Sequence, residues 1–329
     1  MDHTSGGIEN NLALNPSAPL PKPATSLPAN STLVKVAYTT INPVDFKVPE
    51  MPIMSTLGIT KPATPCMDFS GTVVATTRPD LAPGDRVFGK TEPPMFGALA
   101  QYLVVGPNGC VKLPPGKGTL RDAAGLGVCG LTAYQTLAPF VHDRKGLKVL
   151  VNGGSGGVGT YTIQLAKLLG CVVTATCSGA NAELCRSLGA DAVLDYKAED
   201  LVAQLKRAGT QYDLLIDNVN VGGKPIFWQA HHYLKPDGTF VVIAGDGNPR
   251  NIWDLAMMFL LPGWLGGGQR RARFVMCKSN AEEYGVLGRW LAEGKLRTVV
   301  EEEFEMERAG EVSVCLFSKG ERAWRGVVC

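Results

Sequence analysis

One stretch limits the fold more than any other: Val149-Leu-Val-Asn-Gly-Gly-Ser-Gly-Gly-Val-Gly159. A short run of β-formers ends at Asn152, a glycine cluster follows, and Thr160–Leu169 carries apolar residues at helical spacing. The pattern is strand, tight turn, helix. Inside it Gly154-x-Gly156-x-x-Gly159 matches the dinucleotide fingerprint. Glycines are needed there because a pyrophosphate must approach the backbone, and a Cβ would block it. The helix start then offers free N–H groups and the positive end of its dipole to phosphate. The strand before and the helix after separate this turn from a flexible glycine loop.

Around that turn the period of the chain changes. Up to about residue 118 the apolar residues fall in short alternating runs between Pro/Gly turns: Leu33–Tyr38, Asp68–Thr76, a turn at Leu81–Arg86 entering a strand, Gly97–Val105 and Cys110–Leu113. This predicts an irregular β-rich domain. Ala123–Leu137 reads as a helix. Strands at Lys148–Val151, Cys171–Cys177, Ala192–Leu194, Tyr212–Asp217 and Thr239–Ala244 then alternate with helices at Gly159 onward, Ala182–Leu188, Glu199–Ala208 and Pro225–Tyr233. That alternation predicts an α/β domain with a doubly wound parallel sheet. Residues 252–265 are apolar almost throughout, which predicts a buried helix, a subunit contact or the wall of an apolar substrate pocket. Residues 281–293 form a further helix, and Glu303–Val328 returns to a strand–helix–strand pattern.

The 329 residues suffice for two domains, and 45% hydrophobic and 19% charged residues describe an ordinary globular chain. A net charge of +2 without a basic stripe argues against a nucleic-acid partner. The apolar run near Leu255–Leu265 is interrupted by Pro262 and Gly263, too short to span a bilayer. The N-terminus carries Asp2 and Glu9 and no apolar core of a signal peptide. Nine scattered cysteines, with no CxxC pair, read as reduced thiols of a cytoplasmic protein rather than a disulfide framework or zinc site.

Seven motifs then occur in a fixed order: Asn42-Pro-Val-Asp45, Pro83-Gly-Asp-Arg-Val87, Phe96-Gly-Ala-Leu-Ala-Gln-Tyr102, Gly130-Leu-Thr-Ala-Tyr134, Asn152–Gly159, Leu188-Gly-Ala-Asp191 and Asp217-Asn-Val219. In this set the chain resembles the medium-chain dehydrogenase/reductase superfamily, in its zinc-independent quinone-reductase and enoyl-reductase branch. It is similar to fungal members described as zinc-binding oxidoreductases. The resemblance implies a GroES-like catalytic domain (1–121 and 273–329) with a Rossmann domain (122–272) inserted in it, a nicotinamide cofactor and a homodimer. It implies cofactor contacts at Thr132, at Gly154, Ser155, Gly156, Gly157, Val158 and Gly159, at Tyr196, and at Asn218 and Val219, whose loop passes near the nicotinamide in this family. The chain departs from the family at Asn220, where glycine is usual, and at Arg325, where a lysine is usual.

Zinc-dependent relatives need a Cys, a His in a Gly-His-Glu motif and a further Cys or Asp. Here the matching stretches are Ile41-Asn-Pro-Val44 and Cys66-Met67-Asp68, so an amide and a thioether stand in those places, and no catalytic or structural zinc is expected. An NAD site usually carries an acid just after the second strand. Ser178-Gly-Ala-Asn181 has none. NADPH is therefore favoured over NADH, with Ser178 a donor to the 2′-phosphate or else a plain helix N-cap.

Without zinc the natural reaction is conjugate reduction: hydride to the β-carbon of an activated C=C, or to a quinone. Asn42 is the candidate donor to the developing enolate oxygen, and Asp45 would fix its loop or the cofactor amide. Asn42-Pro43 also reads as a structural turn. Phe46 stands where a proton-donating tyrosine is common, so solvent is the expected proton source. The substrate is expected to be small and hydrophobic. A cofactor-binding protein with a non-redox or non-enzymatic role remains the other reading of the same residues.

Overall fold

The computed structural model describes residues 12–19, 26–50, 63–92, 97–141, 144–219, 224–243, 249–265, 267–308 and 327–328. Phe96, Asn220 and Arg325 lie outside the described residues, as do the side chain of Phe46 and most of the predicted C-terminal strand–helix–strand segment. The chain separates into a split unit, Met1–Leu131 with Cys277–Cys329, and an inserted unit, Thr132–Met276.

In chain order the split unit contributes β1 (Thr32–Ile41), α1 (Pro43–Glu50), β2 (Asp68–Thr76), β3 (Arg86–Lys90), β4 (Tyr102–Val105), β5 (Cys110–Lys112) and α2 (Leu120–Ala124). Next come α3 (Leu131–Val141), β6 (Lys148–Asn152), α4 (Gly157–Leu168), β7 (Val172–Cys177), α5 (Ala182–Ser187), β8 (Ala192–Asp195), α6 (Leu201–Ala208), β9 (Tyr212–Asp217), α7 (Lys224–Trp228), β10 (Leu234–Ile243), α8 (Pro249–Leu260) and β11 (Arg271–Val275). The helix α9 (Ala281–Ala292) and the strand β12 (Val327–Val328) return to the split unit.

The split unit is built on an antiparallel sheet ordered β12-β1-β2-β3-β5, with β4 also paired to β1. Alternation along β1 and β2 turns Val34, Phe69 and Val73 inward to meet Val87, Leu103 and Cys110. Two sequence expectations change here. Gly97–Val105 is strand only from Tyr102. Gly97 takes φ +135°, and the N–H groups of Gly97 and Ala98 both donate to the Cys66 carbonyl, so the chain turns before it can pair. The predicted helix Ala123–Leu137 breaks into α2, a π-helical turn at Leu126–Gly130, and α3. A Cβ on Gly127 would lie 2.2 Å from Asp68 Oδ1 and 2.7 Å from the Gly89 carbonyl. Glycine lets that turn press against β2 and β3, and the widened turn is the result.

The inserted unit carries a parallel sheet ordered β11-β10-β9-β6-β7-β8. Its core includes Leu150, Leu205, Tyr212, Leu215, Phe227, Tyr233, Phe240 and Val242. The edge strand β11 was hidden in the sequence by its alternating arginines, Arg271 and Arg273, which suit an edge strand with both faces partly exposed. β10 begins at Leu234, ahead of the predicted Thr239, and takes in Lys235-Pro-Asp-Gly238 through a register irregularity between Leu234 and Thr239. The segment 252–265 is not a buried helix: Trp253 is 65%, Leu260 75% and Trp264 82% exposed. Only its other face, with Leu255 and Met258, packs on the core. Among the described residues no helix is long and apolar enough to cross a membrane.

Candidate functional site

Among the described residues, each unit gathers polar groups around one of the sequence motifs. In the inserted unit, the glycine turn leaves β6 at Asn152 and enters α4 at Gly157. The two strands beside β6 latch it. Asn152 Nδ2 donates to Asp217 Oδ1 on β9 (2.8 Å), and Asn152 Oδ1 accepts from Thr176 Oγ1 on β7 (2.5 Å). The N–H of Gly153 donates to Thr176 Oγ1 and that of Gly154 to the Thr176 carbonyl. The glycines have separate reasons. Gly153 sits at φ +76°. A Cβ on Gly154 would come within 2.8 Å of the Ala175 methyl, and one on Gly159 within 2.1 Å of the Gly153 carbonyl. Gly154 thus lets the turn lie on β7, and Gly159 lets α4 close onto the turn.

The start of α4 has Gly156 as N-cap, with no side-chain hydrogen bond capping it. The first N–H groups of the helix, around Gly157 and Val158, therefore stand open to an anion. The loop after β9 is tied to the same turn. The amide and side chain of Asn218 both donate to the Asn152 carbonyl (3.2 and 3.1 Å), and the Val219 amide donates to Asp217 Oδ1 (3.0 Å). Asn218 Oδ1 is buried without a hydrogen-bond partner, an acceptor that a bound donor would satisfy.

At the corner after β7, Ser178 precedes a short 3₁₀ turn, but its side chain makes no capping bond. Asn181 Nδ2 instead bridges Ser178 Oγ and Ser155 Oγ, each at 3.3 Å. Tyr196 is held at the end of β8 by its N–H to the Cys177 carbonyl (3.3 Å). Ser155, Ser178 and Asn181 are thus gathered, with Tyr196 following the next strand. One premise of the sequence argument is corrected. An acid does reach this corner, from β8 rather than β7: Asp195 pairs with Cys177, and its Oδ2 would lie 2.6 Å from a Cβ on Gly179. Spacing along the chain could not show it, because the contact crosses strands. Thr132 is buried at the second residue of α3. An uncapped helix start, a glycine cradle and an orphaned acceptor together fit a nicotinamide dinucleotide.

In the split unit, Asn42-Pro-Val-Asp45 is a helix start as well as a motif. Asn42 precedes α1, Pro43 takes the first helical position, where no N–H is needed, and Asp45 Oδ2 accepts from the Asn42 N–H (2.6 Å). Asp45 therefore holds the Asn42 loop. The Asn42 side chain is buried and oriented from two sides. Its Nδ2 donates to Asp68 Oδ2 (2.9 Å), and its Oδ1 accepts from Cys129 Sγ (3.2 Å). Asp68 Oδ2 also accepts from Thr40 Oγ1 (2.8 Å).

The electrostatics follow from burial. Desolvation pushes Asp68 up to about 6, against the hydrogen bonds from the Val128 amide, Thr40 and Asn42 and the charge of Lys90. Burial, then the neighbouring Asp68 charge, holds Asp45 well above the usual carboxylate range. Burial and the adjacent carboxylates raise Cys129, so it stays a thiol and a donor. Lys90 is buried and pairs with Glu92 (2.9 Å), which also accepts from the Ser279 N–H (2.6 Å). Asp68, Cys129 and Lys90 were not singled out by the sequence as parts of one cluster. A carboxylate at the start of the apolar strand Asp68–Thr76 was the signal available.

These donors do not fit a zinc ion. Met67 is a buried thioether, the Asn42 amide is already engaged, and among the described residues no three His, Cys, Asp or Glu side chains cluster as a metal site.

Comparison with known proteins agrees with this division. Residues 28–115 match the family model "Alcohol dehydrogenase GroES-like domain", and residues 157–263 match "Zinc-binding dehydrogenase". The chain is 45% identical over 314 residues to the trans-enoyl reductase pgmF of Aspergillus terreus, covering 93% of this chain and 87% of that protein. It is 32% identical to a chloroplast envelope quinone oxidoreductase homolog of Arabidopsis thaliana, over 88% of this chain and 86% of that one. Its fold is similar to the quinone oxidoreductase of Coxiella burnetii, with a TM-score of 0.76 and 27% identity over 93% of this chain and 92% of that one. The chain belongs to the medium-chain dehydrogenase/reductase superfamily, in its enoyl- and quinone-reductase branch.

Proposed function

We propose that this protein is an NADPH-dependent, zinc-independent reductase that delivers hydride to the β-carbon of an enone or enoyl thioester, with quinones as a second acceptor class, in the tailoring of a natural product. The observation that carries most weight is the 45% identity, across 93% of the chain, to a trans-enoyl reductase. The inserted unit supplies the nucleotide site. The N–H groups at Gly157 and Val158 receive the pyrophosphate, Asn218 and Val219 lie on the loop tied to the same turn, and Thr132 serves the nicotinamide end. Ser155, Ser178, Asn181 and Tyr196 make the corner polar and hydroxyl-rich, which suits a 2′-phosphate, while Asp195 opposes it. The bound reduced nicotinamide supplies the hydride.

The split unit supplies Asn42. One of its amide hydrogens is fixed on Asp68, and the other is left to hold the substrate oxygen as negative charge develops on it. Asp45 keeps that loop in place through the Asn42 N–H. The exposed apolar side chains Trp253, Leu260, Trp264, Leu265 and Phe274, together with β11 at the edge of the sheet among the described residues, suit pairing with a second copy of the chain. None of the seven described cysteines is paired in a disulfide, in keeping with a cytoplasmic setting.

Fluorescence titration with NADPH and NADH, followed by addition of an enone, an enoyl thioester or a quinone, tests the reading. Tighter NADPH binding and acceptor-dependent loss of the reduced-nicotinamide absorbance are expected. Failure to bind either nucleotide would overturn it.

A further inference from the structure

We infer that Asp68 is the positioning residue of the reaction: its carboxylate, shared between Thr40 and Asn42, sets which way the Asn42 amide faces and so whether Asn42 can donate to substrate. The inference rests on the proposed role of Asn42 and assigns a new role to a residue beside it.

The geometry leaves the amide one orientation. Its oxygen takes the Cys129 thiol hydrogen and its nitrogen faces the carboxylate. A thiol kept protonated by burial gives only a weak hydrogen bond, so the stronger constraint is the charged acceptor Asp68 Oδ2. Thr40 Oγ1 donates to that same oxygen and so steadies it. Behind it, the π-helical turn brings Gly127 against Oδ1, closing the carboxylate's other side. If Asp68 takes up a proton, its hydroxyl competes for the amide oxygen, the amide is free to turn over, and the donor aimed at substrate is lost.

The groups facing Asp68 come from every element packed on it. They are Asp45 on α1, Lys90 at the end of β3 with its partner Glu92, Cys129 on the π-helical turn and Tyr284 on α9, while Cys277 acts on Cys129 and Tyr284 behind them. Thr40 Oγ1 reaches Asp68 Oδ2 at 2.8 Å and the Ala124 carbonyl only at 3.5 Å, and of the two carboxylates it donates to Asp68, so a change at Thr40 marks Asp68 and not Asp45. Its ionisation near pH 6 falls where an assay can follow it.

The test is the pH profile of kcat, at saturating NADPH with an enoyl thioester, for the intact protein and for Thr40→Val, Asp68→Asn and Asn42→Ala. The intact protein should lose kcat as pH falls through about 6. Thr40→Val removes a bond that lowers the Asp68 pKa, so its acid limb should move upward by about half a pH unit or more. Asp68→Asn should lower kcat by roughly tenfold or more and abolish the limb, with the Kd for NADPH unchanged. An acid limb that stays in place in Thr40→Val overturns the inference, even if Asp68→Asn fails to fold. So does an Asp68→Asn enzyme with full kcat while Asn42→Ala is impaired. Full kcat in Asn42→Ala would instead overturn the reading of Asn42 on which the inference rests.

Discussion

Gly159→Ala is expected to weaken NADPH binding by about 100-fold, or roughly 2.7 kcal/mol. The new methyl would lie 2.1 Å from the Gly153 carbonyl and 2.8 Å from Gly154 Cα, and both are backbone atoms of the glycine turn proposed to hold the pyrophosphate. Neither can rotate away as a side chain could. The turn must lift from α4, and the latch that fixes it runs through Asn152 to Thr176 and Asp217. The displaced turn would carry the Asn152 carbonyl with it, and with it the anchor of Asn218. Titration of the variant by nucleotide fluorescence, alongside its melting curve, checks this. Wild-type affinity would mean that the close approach of helix and turn is not needed for binding.

Gly127→Ala is the counterpart in the split unit. Its Cβ would meet Asp68 Oδ1 at 2.2 Å, Asp68 Cγ at 2.6 Å and the Gly89 carbonyl at 2.7 Å. The carboxyl group is itself pinned by Thr40 and Asn42, so the π-helical turn would have to move. That turn is also held by the Tyr284 hydroxyl, which donates to the Gly127 carbonyl (3.2 Å). Overpacking of this kind costs about 2–3 kcal/mol. A fall in melting temperature of roughly 5–10 °C should accompany it. Turnover should fall further than stability alone requires, because the displaced carboxylate is the one that orients Asn42. Nucleotide affinity should fall far less than turnover, since the glycine turn lies in the other unit and only Thr132 follows the displaced segment. An unchanged melting temperature would show that the turn yields freely.

The parallel sheet was legible in the sequence because each of its inner strands is a short apolar run followed by a helical period, and the glycine turn marks where the series begins. The edge strand Arg271–Val275 was not, because a strand exposed on both faces has no apolar run to announce it. The helix break at Leu126–Gly130 was foreshadowed by Gly125, Gly127 and Gly130, but its cause, the close approach of Asp68, lies almost sixty residues away in the chain. The strand–glycine turn–helix could be read from its own residues, and β6, the turn and α4 follow that order. The corner could be read only in part: Ser178 and Asn181 are local, whereas Asp195 arrives from the neighbouring strand. Likewise Asn42 and Asp45 form one motif, but the partners that orient Asn42, Asp68 on β2 and Cys129 on the π-helical turn, come from separate stretches that no spacing rule connects. The zinc question illustrates the same limit. The matching positions show which ligands are replaced, and only the structure shows the amide already engaged by its neighbours.

The most direct test of the central claim is to follow the hydrogen itself. The protein would be supplied with a short α,β-unsaturated thioester and NADPH deuterated at C4 on one face or the other, and the saturated product examined by NMR. One labelled form should place a single deuterium on the β-carbon and none on the α-carbon, whose hydrogen comes from solvent. Bound NADPH with no saturated product, or product without deuterium at the β-carbon from either labelled form, would contradict the assignment of this protein as a reductase of activated carbon–carbon double bonds.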